Sequence, residues 1–288
     1  MADDESLPRQ LSHTTIRVEC KSTSGYSSLG TGFFFAFNES NGTNVPGIVT
    51  NKHVLDGASE ITFRFTRANA ENKPCIGSIE TVLLECTVDA WVPHPDPTVD
   101  LAVIPIGILL AKAATTGMPL YYRTLGRSLI PSPDVQSRFS ALEDVVLIGY
   151  PIGLWDSKNN MPIFRKGITA THPSDNFDGR HEFLIDAACF PGSSGSPVFQ
   201  YKPALGLKGS ESIQITGDGP KLALLGVLYA GPQFTVDGKL EVVTVPTQQT
   251  VIAQSRIPVN LGLVIKAERI LEFETIFEKR LVRQVSAP

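Results

Sequence analysis

Residues 190–199 read Phe190-Pro191-Gly192-Ser193-Ser194-Gly195-Ser196-Pro197-Val198-Phe199. Small residues crowd one serine, and a proline with two apolar residues follows. Such a run forms a tight turn feeding a strand. It presents the Ser194 hydroxyl and aims the backbone N–H groups of Gly192 and Ser194 at one point. A nucleophile beside converging donors is the core of acyl-transfer chemistry. Gly192 has no side chain to obstruct a substrate approaching its peptide plane. A Gly/Ser loop between two strands has the same composition, so the turn alone leaves the chemistry open.

Two upstream segments supply what a hydroxyl lacks. Gly30-Thr31-Gly32-Phe33-Phe34-Phe35-Ala36-Phe37, a polar turn, and Gly47-Ile48-Val49-Thr50-Asn51-Lys52-His53-Val54-Leu55 read as a strand, a hairpin connection and a second strand ending at His53. Pro97-Thr98-Val99-Asp100-Leu101-Ala102-Val103-Ile104-Pro105 sets one carboxylate at the mouth of an apolar run. The chain order is therefore His, Asp, Ser. A hydroxyl needs a base to take its proton, and the base needs an acceptor that fixes its tautomer and stabilises the imidazolium. His13, His94, His172 and His181 lack the setting of His53 and read as surface or strand residues. Asp96 rivals Asp100 but sits between prolines in a loop, and Asp89 and Asp56 fit less well.

These blocks together resemble trypsin-like serine peptidases, above all the bacterial branch with the HtrA-like and staphylococcal glutamyl endopeptidases. Leu224–Gly231 is similar to the strand that lines the substrate cleft in that family, and Asn260–Ile265 to its last barrel strand. The resemblance covers roughly residues 13–280. It implies an all-β, chymotrypsin-like fold. Two six-stranded antiparallel β-barrels pack at an angle around the active-site crevice, and a C-terminal α-helix follows. His53 and Asp100 would come from the first barrel and Ser194 from the second, so neither half would work alone. The roles implied are Ser194 as nucleophile, His53 as base and then acid, Asp100 as orienting carboxylate, and the N–H groups of Gly192 and Ser194 as oxyanion hole.

The resemblance also bears on control and specificity. Ser193 stands where the animal digestive members carry an aspartate that pairs with a newly cut N-terminus, and an Ile-Val-Gly-Gly-type activation sequence is missing. Zymogen activation by N-terminal insertion is therefore not expected, nor is a PDZ-like domain after the last helix. Ala188 falls where basic-specific members place an acid, and Leu228 where glutamyl-specific members place a histidine. The implied substrate-binding lining is Ala188, Cys189, Phe190, Leu228, Tyr229, Ala230 and Gly231, which favours a small or medium apolar P1 residue. Tyr229–Gly231 also offers main-chain groups to an extended substrate strand.

Short runs rich in Val, Ile, Phe and Thr, bounded by Gly, Pro, Asn or Asp, predict strands near 14–21, 31–38, 46–51, 60–67, 81–91 and 100–106. A second set is predicted near 144–150, 162–171, 181–187, 196–200, 222–230, 240–245 and 260–265. This density indicates a barrel or sandwich rather than βαβ units. Ile270, Phe273, Ile276, Phe277 and Leu281 recur at helical spacing within 266–283. The organisation expected is a disordered N-terminus over 1–12, a first barrel over 13–110 and an inter-barrel connection over 111–142, with a short helix near 108–115. A second barrel spans 143–265, and a helix and tail span 266–288. The segments 201–221 and 232–258 exceed what a minimal barrel needs and are expected to be loops able to gate the cleft or dock a regulatory protein.

Of the 288 residues, 42% are hydrophobic and 19% charged, enough to bury a sizeable core. A net charge of −4 provides no basic excess for phosphates, which argues against a nucleic-acid partner. No apolar run reaches the ~20 residues that span a bilayer, so no membrane partner is expected. The acidic, polar start Met1–Ser6 carries no export pattern, and a cytosolic location is expected. Cys20, Cys75, Cys86 and Cys189 lack metal or redox spacing and are expected to be free thiols. No metal or organic cofactor is implied. Two Asn-x-Ser/Thr sequons, at Asn38 and Asn41, read as turn-forming polar residues.

The function expected is a serine endopeptidase that cleaves protein or peptide substrates through an acyl-enzyme, in a regulated intracellular setting such as stress response or phage defence. A catalytically inactive peptide-binding module on the same fold is the alternative. An α/β-hydrolase esterase is disfavoured. Its Gly-x-Ser-x-Gly elbow is followed by a helix and its histidine comes last, whereas here the spacing differs, a strand follows and His53 comes first.

Overall fold

A computed structural model of the protein describes residues 6–38, 44–87, 89–202, 221–234, 240–244, 257–258 and 260–285. The first sheet contains β1 (Thr15–Ser22), β2 (Ser27–Phe37), β3 (Val45–Thr50), β4 (Ala58–Ala68), β5 (Pro74–Glu85), β6 (Val92–Pro93), β7 (Ala102–Pro105) and β8 (Leu120–Tyr121). Its order is β5-β4-β1-β2-β3-β7-β6, with β8 beside β4. The second sheet contains β9 (Asp144–Gly149), β10 (Ile163–Thr169), β11 (Glu182–Asp186), β12 (Pro197–Lys202), β13 (Lys221–Phe234), β14 (Leu240–Thr244), β15 (Ile257–Pro258) and β16 (Leu261–Lys266).

In the second sheet, β12, β9, β10, β11, β16 and β13 pair in turn, and β13 pairs back onto β12. That closes a six-stranded antiparallel barrel. The first sheet departs from the expected pattern: among the described residues its ladder stays open, with β5 and β6 at its ends. Proline explains the shortness of β6. Pro93, Pro95 and Pro97 follow one another at alternate positions, and each removes a donor that a ladder would use.

Strand β2 shows why the sequence folds this way. Its end is buried on both faces, as its run of phenylalanines requires. Phe33, Phe35 and Phe37 join a cluster that includes Ile148, Phe199 and Val227 of the second sheet, while Phe34 faces Ile61, Phe63 and Phe65 inside the first. A further cluster around Val145, Phe183, Ile185, Val198 and Leu228 fills the second barrel. The chain after β16 makes a 3₁₀ turn over Ala267–Leu271 and a helix over Glu272–Val285. Phe273 and Phe277 of this helix pack on Phe37 of the first sheet.

Three local expectations need correction. Residues 7–11, within the segment expected to be disordered, form a helix, and Leu11 is buried in the largest cluster. Ser6 and Pro8 explain the start of that helix, since proline fits the first turn without losing a bond. β3 ends at Thr50, and His53 lies on a single helical turn over Lys52–Leu55. β5 begins at Pro74 and ends at Glu85, rather than running over 81–91. The short helix expected near 108–115 spans Gly107–Thr115. Most of the two segments expected to be loops, 203–220 and much of 235–259, lies outside the described residues, as does Asn41.

Candidate active site

The Asp100 carboxylate approaches His53 with both oxygens. Oδ1 accepts the His53 backbone N–H at 3.1 Å, and Oδ2 lies 2.5 Å from Nδ1. A carboxylate only accepts, so the proton of the neutral ring sits on Nδ1 and Nε2 keeps its lone pair. Nε2 is buried and has no hydrogen-bond partner. The turn that carries the imidazole is anchored from both sides. Asn51 Nδ2 donates to the Asp100 carbonyl at 2.7 Å, and Lys52 Nζ donates to the Asp96 carbonyl at 3.0 Å. Desolvation lowers the Lys52 pKa despite the nearby Asp100 and Asp96.

Ser194 arrives from the other sheet through main-chain bonds. Its carbonyl accepts the Thr31 N–H at 2.8 Å, and the Thr31 carbonyl accepts the Thr50 hydroxyl at 2.8 Å, three residues before His53. Ser194 is fully buried. The turn around it follows from its glycines. Gly192 and Gly195 both have φ of +85°, which L side chains rarely adopt. A Cβ on Gly195 would also overlap the Thr31 carbonyl and lie 2.7 Å from Thr50 Oγ1. Ser193 N–H donates to the Phe190 carbonyl at 3.0 Å, and Gly195 N–H to the Leu228 carbonyl at 2.8 Å. The Gly192 N–H has no acceptor among the described residues.

Sequence reading missed the part played by Thr31. Its hydroxyl donates to the Gly192 carbonyl at 2.9 Å and accepts the Tyr150 N–H at 3.1 Å. It therefore pins the nucleophile turn and the loop after β9 to the first sheet. The signal was present in the glycines that flank it. A Cβ on Gly30 would lie 2.6 Å from Val54 Cγ1, and one on Gly32 would lie 2.5 Å from Ile48 Cγ2. Close packing on both sides fixes the strand that holds Thr31. The loop it steadies carries a further feature, Ile152 with φ of +53°, whose N–H donates to the Pro191 carbonyl at 2.5 Å.

Of the residues expected to line the substrate pocket, Cys189 and Leu228 share one apolar cluster and both pack around Gly262. Cys189, Leu228 and Ala230 are buried, and Ala188, Phe190 and Tyr229 are partly so. Gly262 of β16 faces this wall: a Cβ there would lie 2.6 Å from Cys189 Sγ. Gly231 lies beside Cys189 Cβ, at 3.9 Å for an added Cβ. Burial pushes the Cys189 thiol up to about 11, which keeps it protonated and poorly nucleophilic. Tyr229 OH donates to Glu182 Oε2 at 2.9 Å, turning that ring toward β11.

The rival residues are occupied elsewhere. Asp96 accepts the Thr98 N–H and hydroxyl and pairs with Arg269 at 2.8 Å, and the Thr98 bonds hold its carboxyl down at about 2. Asp89 lies 3.6 Å from Arg280. His94 donates from Nε2 to the Arg269 carbonyl and accepts the Asp96 N–H at Nδ1. His13 stacks edge-on with Tyr121, His172 bonds Phe139 and Ser174, and His181 bonds Glu268. All four cysteines are free thiols. Among the described residues, no group of His, Cys, Asp and Glu could hold a metal ion, and no helix is long and apolar enough to cross a membrane.

Residues 30–205 match the model of the trypsin-like peptidase domain family. The chain belongs to that family. Residues 30–205 contain His53, Asp100 and Ser194. Among solved structures it is similar to an HtrA-type protease, AlgW in a serine-to-alanine variant, with a decapeptide. The identity is 18% and the TM-score 0.49, over 92% of this chain and 64% of that one. It is also similar to GrC, at 13% identity and a TM-score of 0.46, over 94% of each chain. The peptidase thus spans less than two thirds of the HtrA-type structure's length. No curated protein matches it significantly.

Proposed function

We propose that this trypsin-like peptidase cleaves peptide bonds through an acyl-enzyme, with Ser194 as nucleophile, His53 as general base and then acid, and Asp100 as the group that orients His53. The observation that carries the reading is the two-point hold of Asp100 on His53, which leaves Nε2 unprotonated and unbonded. In the first step Nε2 takes the Ser194 proton as Oγ attacks the carbonyl carbon, and the carbonyl π electrons move to oxygen. The N–H groups of Gly192 and Ser194 receive that oxyanion. Collapse expels the amine, which takes the proton from Nε2, and water repeats the sequence to release the acid.

The substrate is an extended protein or peptide segment. β13 carries Tyr229–Gly231 beside the nucleophile turn, where a substrate strand can add to the main chain. The apolar walls taken alone favour a small or medium apolar P1 residue. A regulated enzyme is supported by the cover over both reacting groups, since Ser194 and His53 Nε2 have essentially no solvent contact.

Labelling with a fluorophosphonate tests the reading. Wild type should label at Ser194, Ser194→Ala should not label, and His53→Ala should label far more slowly. A folded wild type that neither labels nor cleaves a peptide library, yet binds peptides, would identify the inactive binding module instead.

A further inference from the structure

Arg165 of β10 carries a cation that the apolar reading of the pocket does not include. Its Nη1 donates to the carbonyl of Ala188, the first residue of the expected pocket segment. Its Nε and Nη2 are buried and have no hydrogen-bond partner. Among the described residues no carboxylate pairs with it, whereas Arg17, Arg64 and Arg67, the other strand arginines, each pair with a glutamate. Burial lowers its pKa, and Cys189, the next pocket residue, is close enough for the guanidinium to oppose the burial-driven rise of the thiol.

The placement follows from the strand pattern. Side chains two apart share a face, and Gly167, two residues on, is packed against the Asp186 carbonyl and the Ala187 side chain. The face of β10 that carries Arg165 is therefore the face turned to residues 186–189. Leu228 stands where glutamyl-specific members carry a cationic histidine, so the walls offer no positive charge of their own. Arg165 brings a positive charge to the Ala188 carbonyl from β10. A buried guanidinium with two unpaired nitrogens is costly. A planar carboxylate meets both of its remaining donors at once.

We infer that Arg165 is the specificity-determining residue of this pocket and that the substrate class is peptides with an acidic P1 side chain, glutamate or aspartate. This rests on the proposed function for the identity of the pocket. The uncharged walls of Cys189 and Leu228 then exclude water around the ion pair, which strengthens it. Basic P1 residues are repelled. Apolar ones leave the guanidinium unpaired and gain only contact with the walls.

Two measurements test this. The first is the P1 profile of wild type, Arg165→Met and Arg165→Lys on peptides that differ only at P1, with Glu, Asp, Leu, Val and Lys. Wild type should favour Glu or Asp over Leu in kcat/KM by roughly 30-fold or more, since truncating one partner of a buried charge pair typically costs about 2–5 kcal/mol. Arg165→Met should reverse that ratio, and Arg165→Lys should restore part of it. The second uses Ser194→Ala, which needs no chemistry. Product peptides ending in Glu and in Leu both carry a terminal carboxylate, so calorimetry on this variant isolates the side chain, and the Glu peptide should bind at least ten times more tightly. A wild type that prefers Leu or Val and a Ser194→Ala variant that binds both products alike would overturn the role of Arg165 while leaving serine catalysis intact. Failure of wild type to cleave anything, with the Glu preference kept in binding, would overturn the catalytic reading alone.

Discussion

The Thr31 hydroxyl donates to the Gly192 carbonyl across the boundary between the two sheets, at 2.9 Å. The same oxygen accepts the Tyr150 N–H, so one buried hydroxyl sets the orientation of the peptide next to the nucleophile. Thr31→Val keeps the shape and removes both bonds. We expect kcat/KM to fall by about 10- to 100-fold and stability by about 1–3 kcal/mol, from the unmade bonds of buried groups. Thr31→Ser should recover most of the activity. Steady-state kinetics beside thermal melts separates the two effects.

Asp100→Asn leaves a side chain of the same shape that can donate toward Nδ1, favouring the tautomer with its proton on Nε2. Activity should drop by about 10⁴-fold with the melting temperature little changed, the magnitude known for the general Ser-His-Asp arrangement. Equal activity for Asp100→Asn and wild type would exclude Asp100 from the reaction.

Gly195→Ala places a methyl against the Thr31 carbonyl at a φ of +85°. Steric overlap and backbone strain act together. The variant should lose more than 3 kcal/mol in denaturant unfolding or fail to accumulate as folded protein. Gly57→Ala, also at positive φ but with nothing within 4 Å, is the control and should lose less.

Ile152 is a β-branched, exposed residue with φ of +53°. Replacing it with glycine removes the Cβ penalty, roughly 1–2 kcal/mol, and gives back part of it as chain entropy. We expect a net gain near 1 kcal/mol, read as a rise in melting temperature of about 2–4 °C. A fall in melting temperature would mean that the Ile152 side chain makes contacts worth more than its strain.

His94 is neutral when it accepts the Asp96 N–H at Nδ1, and burial holds its pKa below the ordinary 6.5. Glu272, the hydrogen bond to the Arg269 carbonyl and the contact with the Asp96 backbone partly offset that effect, and the Arg269 charge adds to it. A depressed folded pKa means that the unfolded chain binds the proton more readily. Stability from this group is therefore complete above pH 6.5 and is lost as pH falls through the lower, folded value. Melting temperatures between pH 7.5 and 5 should decline less steeply for His94→Asn than for wild type.

Much of this was readable in the chain. Strand-forming runs between turn residues located every long strand to within a few residues, except at β5, and the order of His53, Asp100 and Ser194 named the family. The polar residues without periodicity were harder. Thr31 looks like any strand threonine, because its value lies in a carbonyl 161 positions away. Arg165 was invisible for the same reason: β10 reads as an ordinary amphipathic strand, and only pairing with β11 puts its guanidinium beside Ala188. Leu11 was misread because a five-residue helix has too little pattern to signal itself, and its burial depends on partners far along the chain.

The helix over Glu272–Val285 lays Phe273 and Phe277 against Phe37, which belongs to the opposite end of the chain. During synthesis the N-terminal sheet leaves the ribosome long before the aromatic residues that complete its core. That sheet must wait, with Phe37 short of these two rings, until the helix emerges. Removing the helix should therefore cost yield through aggregation of the nascent chain. The two sheets should also melt as one cooperative transition in calorimetry.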